Sequence, residues 1–378
     1  MKVVISGGGR FHIFNTAEQL EKRGVDYRLV TTYFNPKKDV IDRKKVKSFP
    51  ILAYGDYLLR KLRLSDALGW NYMKNNMFDK MASRYIVKET PDIFSGCSSF
   101  SLHTIRALRK YSPDTKIALE RASAHINVQS RLIADEYKKH GLKCPGISEK
   151  IIKKELMEYD ESECIIVPSK FVSDTFLSEG IDKNKIVTIP LGVDIKKFRK
   201  VKKTDDVFRV VFVGNLSIQK GVHHLLEAVS GLDLDNFELV LIGKIFDDIR
   251  PFLKKYAGFY RHVGHVQHSE LYKQYSNSSV FVLPSIQDGF GMVVLEAMAC
   301  GLPVIISNNT GAPVMDRKDG FIVPTGNAES IRKKIEYLHE SPKARDRMAK
   351  NAQKHAKLYT WDKYGERVVK QYEKMLRF

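Results

Sequence analysis

The chain has 378 residues, 43% of them apolar, and a formal net charge of +19, a length that suits two or three domains of about 100–200 residues with cores of their own. This excludes a low-complexity or repeat protein, and no apolar stretch approaches the roughly 20 residues that span a bilayer. The four cysteines, Cys97, Cys144, Cys164 and Cys300, are too far apart for a metal-binding spacing and read as reduced thiols of a cytoplasmic protein.

In chain order, the apolar run at the N-terminus is too short for a signal peptide. Val3–Ile5 reads as a strand, Gly7-Gly8-Gly9 as a turn, and a helix follows near Asn15–Lys22. The glycine turn lets the backbone approach a phosphate or sugar closely, but it lacks the G-x-G-x-x-G spacing of a dinucleotide site. Tyr27–Val30 is the next strand. Ile51–Leu64 sets five leucines beside Arg60, Lys61 and Arg63, with Trp70, Tyr72, Met73, Met77 and Phe78 soon after, a pattern that suits an interfacial helix on anionic lipid or a helix packed into the domain. Further strands are expected at Lys116–Leu119, Cys164–Val167 and Ile186–Ile189, with a domain boundary at Pro190–Asp194.

The alternation then restarts. Phe208–Val213 is a strand ending at Gly214, and Lys220-Gly221 precedes a helix over Val222–Val229. Asp233-Leu234-Asp235 reads as turn chemistry, so no metal is expected there. Strands follow at Phe237–Ile242, Val280–Leu283 and Pro303–Ile306, and helices after residue 342, the last an amphipathic one over Trp361–Leu376. Strands alternating with helices argue for two parallel sheets covered on both faces, with a ligand bound beyond the strand C-termini.

The most informative stretch is Pro284–Val304. After a buried strand, Asp288 stands in a turn opened by Gly289 and Gly291; a helix runs from Met292 to Ala299, and Gly301 and Pro303 end it. Bare N–H groups and the helix dipole at that start favour an anion. Asp288 and Glu296, about a turn further in, can accept hydrogen bonds from sugar hydroxyls. These are the parts of a nucleotide-sugar pocket.

The segment resembles the donor signature of family 4 glycosyltransferases, in which two acids are separated by seven residues and Gly-Phe-Gly follows the first. Asp288 stands where the family has Glu. The resemblance covers nearly the whole chain. It implies an α/β chain of the GT-B fold: two Rossmann-like domains facing across a cleft, residues 1–190 with about 358–378 binding the acceptor and 191–357 the donor, and a C-terminal helix crossing back to the first domain. It implies that Glu296 holds the nucleotide ribose, and that Asp288 with the backbone of Gly289, Phe290 and Gly291 holds the donor sugar and diphosphate. Gly214 and Lys220 would lie at the diphosphate, with Asn215 where the family has Arg; Arg10 or Arg121 is the expected substitute cation. The main chain of Val266, in Gly264-His265-Val266, would read the base. Gly8 and Gly9 fall in the acceptor-side loop. His125 is the expected histidine beside the donor sugar, ahead of His12 and His103, and Glu120 reads as a turn acid paired with Arg121, ahead of a nucleophile in a double displacement.

The function so implied is retaining, metal-independent transfer from a nucleotide-sugar, a UDP- or GDP-sugar, to a hydroxyl of a glycan or lipid-linked acceptor in polysaccharide or glycolipid biosynthesis. Residues 1–150 hold 28 Lys and Arg against 15 Asp and Glu, whereas residues 151–350 hold 28 against 26. The basic excess therefore lies in the first half and in the C-terminal tail, where residues 351–378 hold 7 against 3, and draws anionic partners, so an anionic membrane surface at the inner face of the membrane is a further expected partner. Two other readings stand beside this one. A sugar-nucleotide epimerase or hydrolase on the same fold would use Asp288 and Glu296 as its carboxylate pair. A non-catalytic basic binding protein would rest on charge alone; no nucleic-acid motif is present, and no nucleic-acid partner is expected.

Overall fold

The computed structural model describes residues 1–36, 39–61 and 69–377. Among the described residues, thirteen strands form two sheets in which every pairing is parallel. The first contains β1 (Lys2–Gly7), β2 (Asp26–Thr31), β3 (Val46–Ser48), β4 (Ile93–Cys97), β5 (Lys116–Glu120), β6 (Cys164–Val167) and β7 (Ile186–Thr188), in the order β3-β2-β1-β4-β5-β6-β7. The second contains β8 (Phe208–Val213), β9 (Phe237–Ile242), β10 (Arg261–Gly264), β11 (Val280–Leu283), β12 (Val304–Ser307) and β13 (Gly320–Val323), in the order β10-β9-β8-β11-β12-β13.

The physical reason is in the strands. β1, β6, β8 and β11 are short, β-branched and almost wholly buried, as strands covered on both faces must be. Four strands were not anticipated from sequence. β3, β10 and β13 are edge strands of three or four residues, too short for periodicity to reveal. β4 is central, but Ser95 and Gly96 interrupt its apolar run; its backbone is satisfied from both sides by β1 and β5, so strand propensity matters little there.

Each sheet reverses direction of travel at its middle, β1/β4 in the first and β8/β11 in the second. These are topological switch points, where loops from adjacent strands diverge and leave a crevice. Buried Ile189, Leu191, Val193 and Phe198 in the connecting segment join the two apolar cores.

The helix Trp361–Met375 returns to the first sheet. It buries Tyr364, Val368 and Tyr372 there. The Tyr364 hydroxyl lies 2.8 Å from Thr16 Oγ1, and the Arg23 guanidinium reaches the Asp362 carboxylate at 2.9 Å. Burying those side chains contributes roughly 1.5–3 kcal/mol each.

The helix Pro50–Lys61 leaves Ile51, Tyr54, Tyr57 and Leu58 more than half exposed. Leu62, Arg63 and Leu64 of the expected interfacial segment lie outside the described residues. Among the described residues no helix is long and apolar enough to cross a membrane. Cys97, Cys164 and Cys300 are buried free thiols.

Candidate active site

The segment after β11 forms a tight loop followed by the helix Met292–Ala299. The Asp288 carboxylate closes the loop: its Oδ1 accepts from the backbone N–H of Gly291 at 3.1 Å, and its Oδ2 lies 2.5 Å from Lys220 Nζ. Gly291 sits at φ +56°, a left-handed conformation in which a side chain is strained. Gly289 has no room for one: a Cβ there would stand 1.9 Å from the Ala122 carbonyl oxygen. The loop thus touches the first half directly. Ser169 Oγ donates to the Gly289 carbonyl at 2.7 Å, and the Gln287 amide donates to Ser123 Oγ at 2.8 Å. Phe290 is buried beside it.

Glu296 lies within the helix and is 4% exposed. Its Oε1 is 2.7 Å from His268 Nε2, and its Oε2 accepts from the Tyr275 hydroxyl at 3.0 Å. Lys197 Nζ stands 2.6 Å from the other ring nitrogen of His268. An ammonium only donates, so His268 Nδ1 accepts and Nε2–H donates to Glu296. Burial, and then the Glu296 carboxylate, pushes the Tyr275 hydroxyl well up. His268 was absent from the sequence reading; nothing about a lone exposed histidine signals that it covers an acid 28 residues away.

Lys220 and Asn215 belong to the loop between β8 and the helix Val222–Ser230. Asn215 is exposed, and both residues line a cavity of about 320 Å³ closed from the other side by Gln129, Ser130 and Tyr137 of the first half. Gly214 ends β8's run at φ +149°. Val266 is half-buried in the segment after β10.

A larger cavity, about 510 Å³, opens between the halves and is lined by Arg10, His12 and Asn15 from the first half and Asp288, Phe290 and Gly291 from the second. Arg10 keeps half its side chain exposed and pairs with Asp39 at 2.5 Å. Gly8 packs against Phe100, and its carbonyl accepts from Thr32 Oγ1 at 3.0 Å; Gly9 lies beside Phe11. His12 is held by an ion-pair contact from Nε2 to Glu120 Oε2, while Ser95 Oγ donates to Glu120 Oε1 at 2.7 Å. Burial alone would push the Glu120 carboxyl up, but the charge and hydrogen bond of His12, with Ser95, hold it below the usual carboxylate range.

Three expectations are corrected by this geometry. His125 does not reach the cleft. It caps the helix Ile126–Lys139, with Nδ1 accepting from Asn127 N–H at 3.4 Å, and packs between Tyr159 and Phe176 at centroid distances of 5.1 and 5.0 Å. Burial there pushes its imidazole down to about 4. His12 is the histidine in the cleft; His103 lies beside Asp79, to which its backbone N–H donates at 2.8 Å. Arg121 is not a free cation for a diphosphate: it is buried, paired with Glu155 at 2.8 Å, and donates to the Ala124 carbonyl and to Gln129. Glu120 pairs with His12, not with Arg121. Consecutive residues at a strand end point to opposite faces, so Glu120 and Arg121 diverge.

Comparison with known proteins agrees with this architecture. Residues 6–197 match the family described as Glycosyltransferase Family 4, and residues 193–355 match that described as Glycosyl transferases group 1. The chain is similar to an uncharacterized glycosyltransferase of Methanocaldococcus jannaschii, 30% identical over 218 residues, 57% of this chain and 60% of that protein. It is also similar to the N,N'-diacetylbacillosaminyl-diphospho-undecaprenol alpha-1,3-N-acetylgalactosaminyltransferase of Campylobacter jejuni, 30% identical over 221 residues, 52% of this chain and 57% of that one. The chain thus spans about three-fifths of the length of these relatives. Among solved structures, sucrose-phosphate synthase of Thermosynechococcus elongatus superposes with a TM-score of 0.75 at 19% identity, covering 100% of this chain and 99% of that one. Anabaena HepE in complex with UDP and glucose gives 0.69 at 15% identity, covering 99% and 100%. At those identities the likeness establishes the fold, which is GT-B.

Proposed function

The chain belongs to Glycosyltransferase Family 4, and we propose that it transfers a sugar, with retention and without a metal ion, from a UDP- or GDP-sugar to a hydroxyl of a glycan or lipid-linked acceptor. Polysaccharide or glycolipid assembly in the cytoplasm is the process this serves. One observation carries the reading: the cavity between the two sheets is lined by Arg10 and His12 from one half and by Asp288, which is paired with Lys220, from the other.

The chemistry follows from what those groups can do. The bond from the anomeric carbon to the diphosphate oxygen breaks, and the acceptor oxygen bonds to that carbon on the same face. The acceptor's proton passes to the departing diphosphate, so no side chain is needed as base. Lys220 and the N-terminal amides of the helix Met292–Ala299 neutralise the leaving charge. Arg10, half exposed at the cavity, supplies the second cation in place of the absent Arg at Asn215 by exchanging its pairing with Asp39 for the diphosphate. His12, locked by Glu120, has only Nδ1 left to touch the sugar. Glu296 takes the ribose hydroxyls, exchanging its bond to His268 for them, while Val266 borders the base.

Two observations support the acceptor side. The basic excess lies in the first half, and the helix Pro50–Lys61 exposes Ile51, Tyr54, Tyr57 and Leu58 together, groups that suit the interface of an anionic membrane. The relative from Campylobacter jejuni is named for an undecaprenol-linked acceptor, which fits an acceptor held at such a surface. A hydrolase reading is disfavoured because both carboxylate oxygens of the buried Glu296 are engaged, by His268 and Tyr275.

The test is calorimetric titration with UDP, GDP, dTDP, ADP and CMP in metal-free buffer, on the wild type and on Glu296→Ala. Selective binding of one nucleotide, lost in the variant, is expected. Binding of none of them overturns the reading.

A further inference from the structure

The two halves meet at a second polar cluster, away from the donor loop. Glu136 lies in the last turn of the helix Ile126–Lys139, and His140 follows it at the helix C-terminus. The i, i+4 spacing puts both on one helix face. From the other half, His223 and His224 occupy the first turn of the helix Val222–Ser230. The Nε2 atoms of His223 and His224 lie 2.8 and 2.7 Å from Oε1 of Glu136, and that of His140 lies 3.3 Å from the same oxygen. One ligand atom from each of the four residues lies within 4.8 Å of all the others.

We infer that Glu136, His140, His223 and His224 bind a transition-metal ion, zinc by its donor set, that ties the first half of the molecule to the second.

Three imidazole nitrogens and a carboxylate oxygen are a closed four-coordinate set of the kind that holds structural zinc, and they are poor ligands for magnesium or calcium. The spacing is nearly right. In a tetrahedral site with ligands about 2.0–2.1 Å from the ion, ligand atoms stand roughly 3.3 Å apart. The two shorter contacts need to open by about half an ångström, and the pairs that lie as far as 4.8 Å apart need to close by up to about 1.5 Å, which rotation of the imidazole rings can supply. The rings of His223 and His224 are already adjacent, with centroids 4.0 Å apart. Three imidazoles aimed at one oxygen is an uneconomical way to satisfy a single buried carboxylate. Among the described residues, it leaves Nδ1 of both His223 and His224 buried without a hydrogen-bond partner. On metal binding those nitrogens carry protons, and Glu227 Oε2, 3.9 Å from Nδ1 of His224, is placed to accept one. Lys139 Nζ, 3.3 Å from the other Glu136 oxygen, is mostly exposed and can swing into water. An ion has a way in, because Glu136 also lines an open cavity of about 580 Å³ beside Asp135 and Asn309.

The position gives the ion a purpose. His223 is three residues after Lys220, and the opposing helix Ile126–Lys139 carries Gln129 and Tyr137 of the smaller cavity wall. An ion here fixes the phosphate-side loop against the first half and favours the closed cleft. It takes no part in bond breaking, so the site is separate from the metal-free transfer proposed above.

The experiment needs neither donor nor acceptor. Tag-free protein is stripped with EDTA and titrated with zinc chloride by calorimetry and with cobalt chloride by visible absorption. One equivalent of zinc, a cobalt spectrum of tetrahedral intensity that zinc abolishes, and a higher melting temperature with zinc are expected. His223→Gln should weaken zinc binding by about 100-fold or more. His140→Gln, at the most exposed ligand, should do the same with the fold intact by circular dichroism, and it decides the matter if the buried variant fails to fold. Absence of stoichiometric zinc binding overturns the inference, and so does zinc binding unchanged in His140→Gln.

Discussion

Lys220 Nζ and Asp288 Oδ2 stand 2.5 Å apart across 68 residues of sequence, joining the loop after β8 to the loop after β11. Both loops leave the C-terminal ends of adjacent strands at a switch point, so the contact is a product of strand order. On the proposed function, the cation for the diphosphate is thus already neutralised by the acid proposed for the sugar.

A nucleotide diphosphate must therefore compete with Asp288 for Lys220. Lys220→Ala should weaken nucleoside diphosphate binding about 10–100-fold, the worth of one charge-assisted hydrogen bond. Asp288→Asn should have the opposite sign for the diphosphate alone, tightening it about threefold or more, while transfer from the complete donor falls. Calorimetry on both variants, alongside turnover, separates the two effects.

His12 and His125 should divide cleanly. His12→Ala is expected to lower kcat about 100-fold or more, with nucleotide affinity within a factor of about three of wild type. Glu120→Gln should follow in the same direction, because it releases the His12 ring. His125→Asn keeps a helix-capping oxygen and should leave kcat nearly unchanged. Steady-state kinetics on the three variants is the check.

Acid stability should instead report on His125. Its imidazole, ordinarily near 6.5, is pushed down to about 4 by burial. The unfolded chain therefore binds a proton at a pH where the native chain does not. The associated stability is present above about pH 6.5 and drains away as pH falls toward 4, by roughly 3 kcal/mol in all. Urea unfolding midpoints measured from pH 7.5 to 4 should fall less steeply in His125→Asn.

Gly289→Ala tests whether the two halves must touch at the donor loop. The added methyl meets the Ala122 carbonyl oxygen at 1.9 Å and its carbon at 2.7 Å, backbone atoms that have no rotamer to change. The variant should lose at least about 10-fold in kcat/KM through misplacement of the reacting groups, and its melting temperature should drop by a few degrees.

The returning helix should be indispensable to the first half. Tyr364→Ala removes a ring buried to 1% exposure and its hydrogen bond to Thr16. A cost of about 3–5 kcal/mol is expected for emptying such a site, readable as a lower urea midpoint.

The donor loop was legible in the bare chain because everything that makes it is local. A buried β-branched run, two glycines, an eight-residue apolar helix and a Gly-Leu-Pro stop follow one another within 25 residues, and the interval between Asp288 and Glu296 is a fact of spacing. The parallel α/β architecture was legible for the same reason, as most of its strands announce themselves by a local apolar run; the short edge strands β3, β10 and β13 and the Ser-Gly-interrupted β4 do not. What could not be read was which side chains face each other. His12 and His125 are both histidines near strand ends; only the sheet order, with β1 beside β4 and β4 beside β5, brings Glu120 to His12 and sends His125 into the space between Tyr159 and Phe176. The cover of His268 over Glu296, the pairing of Arg121 with Glu155, and the convergence of His223 and His224 on Glu136 join residues 28 to 88 positions apart. Local periodicity encodes an element and its buried face; the partner across a cleft depends on how two finished sheets approach, and that is set by packing of the whole chain.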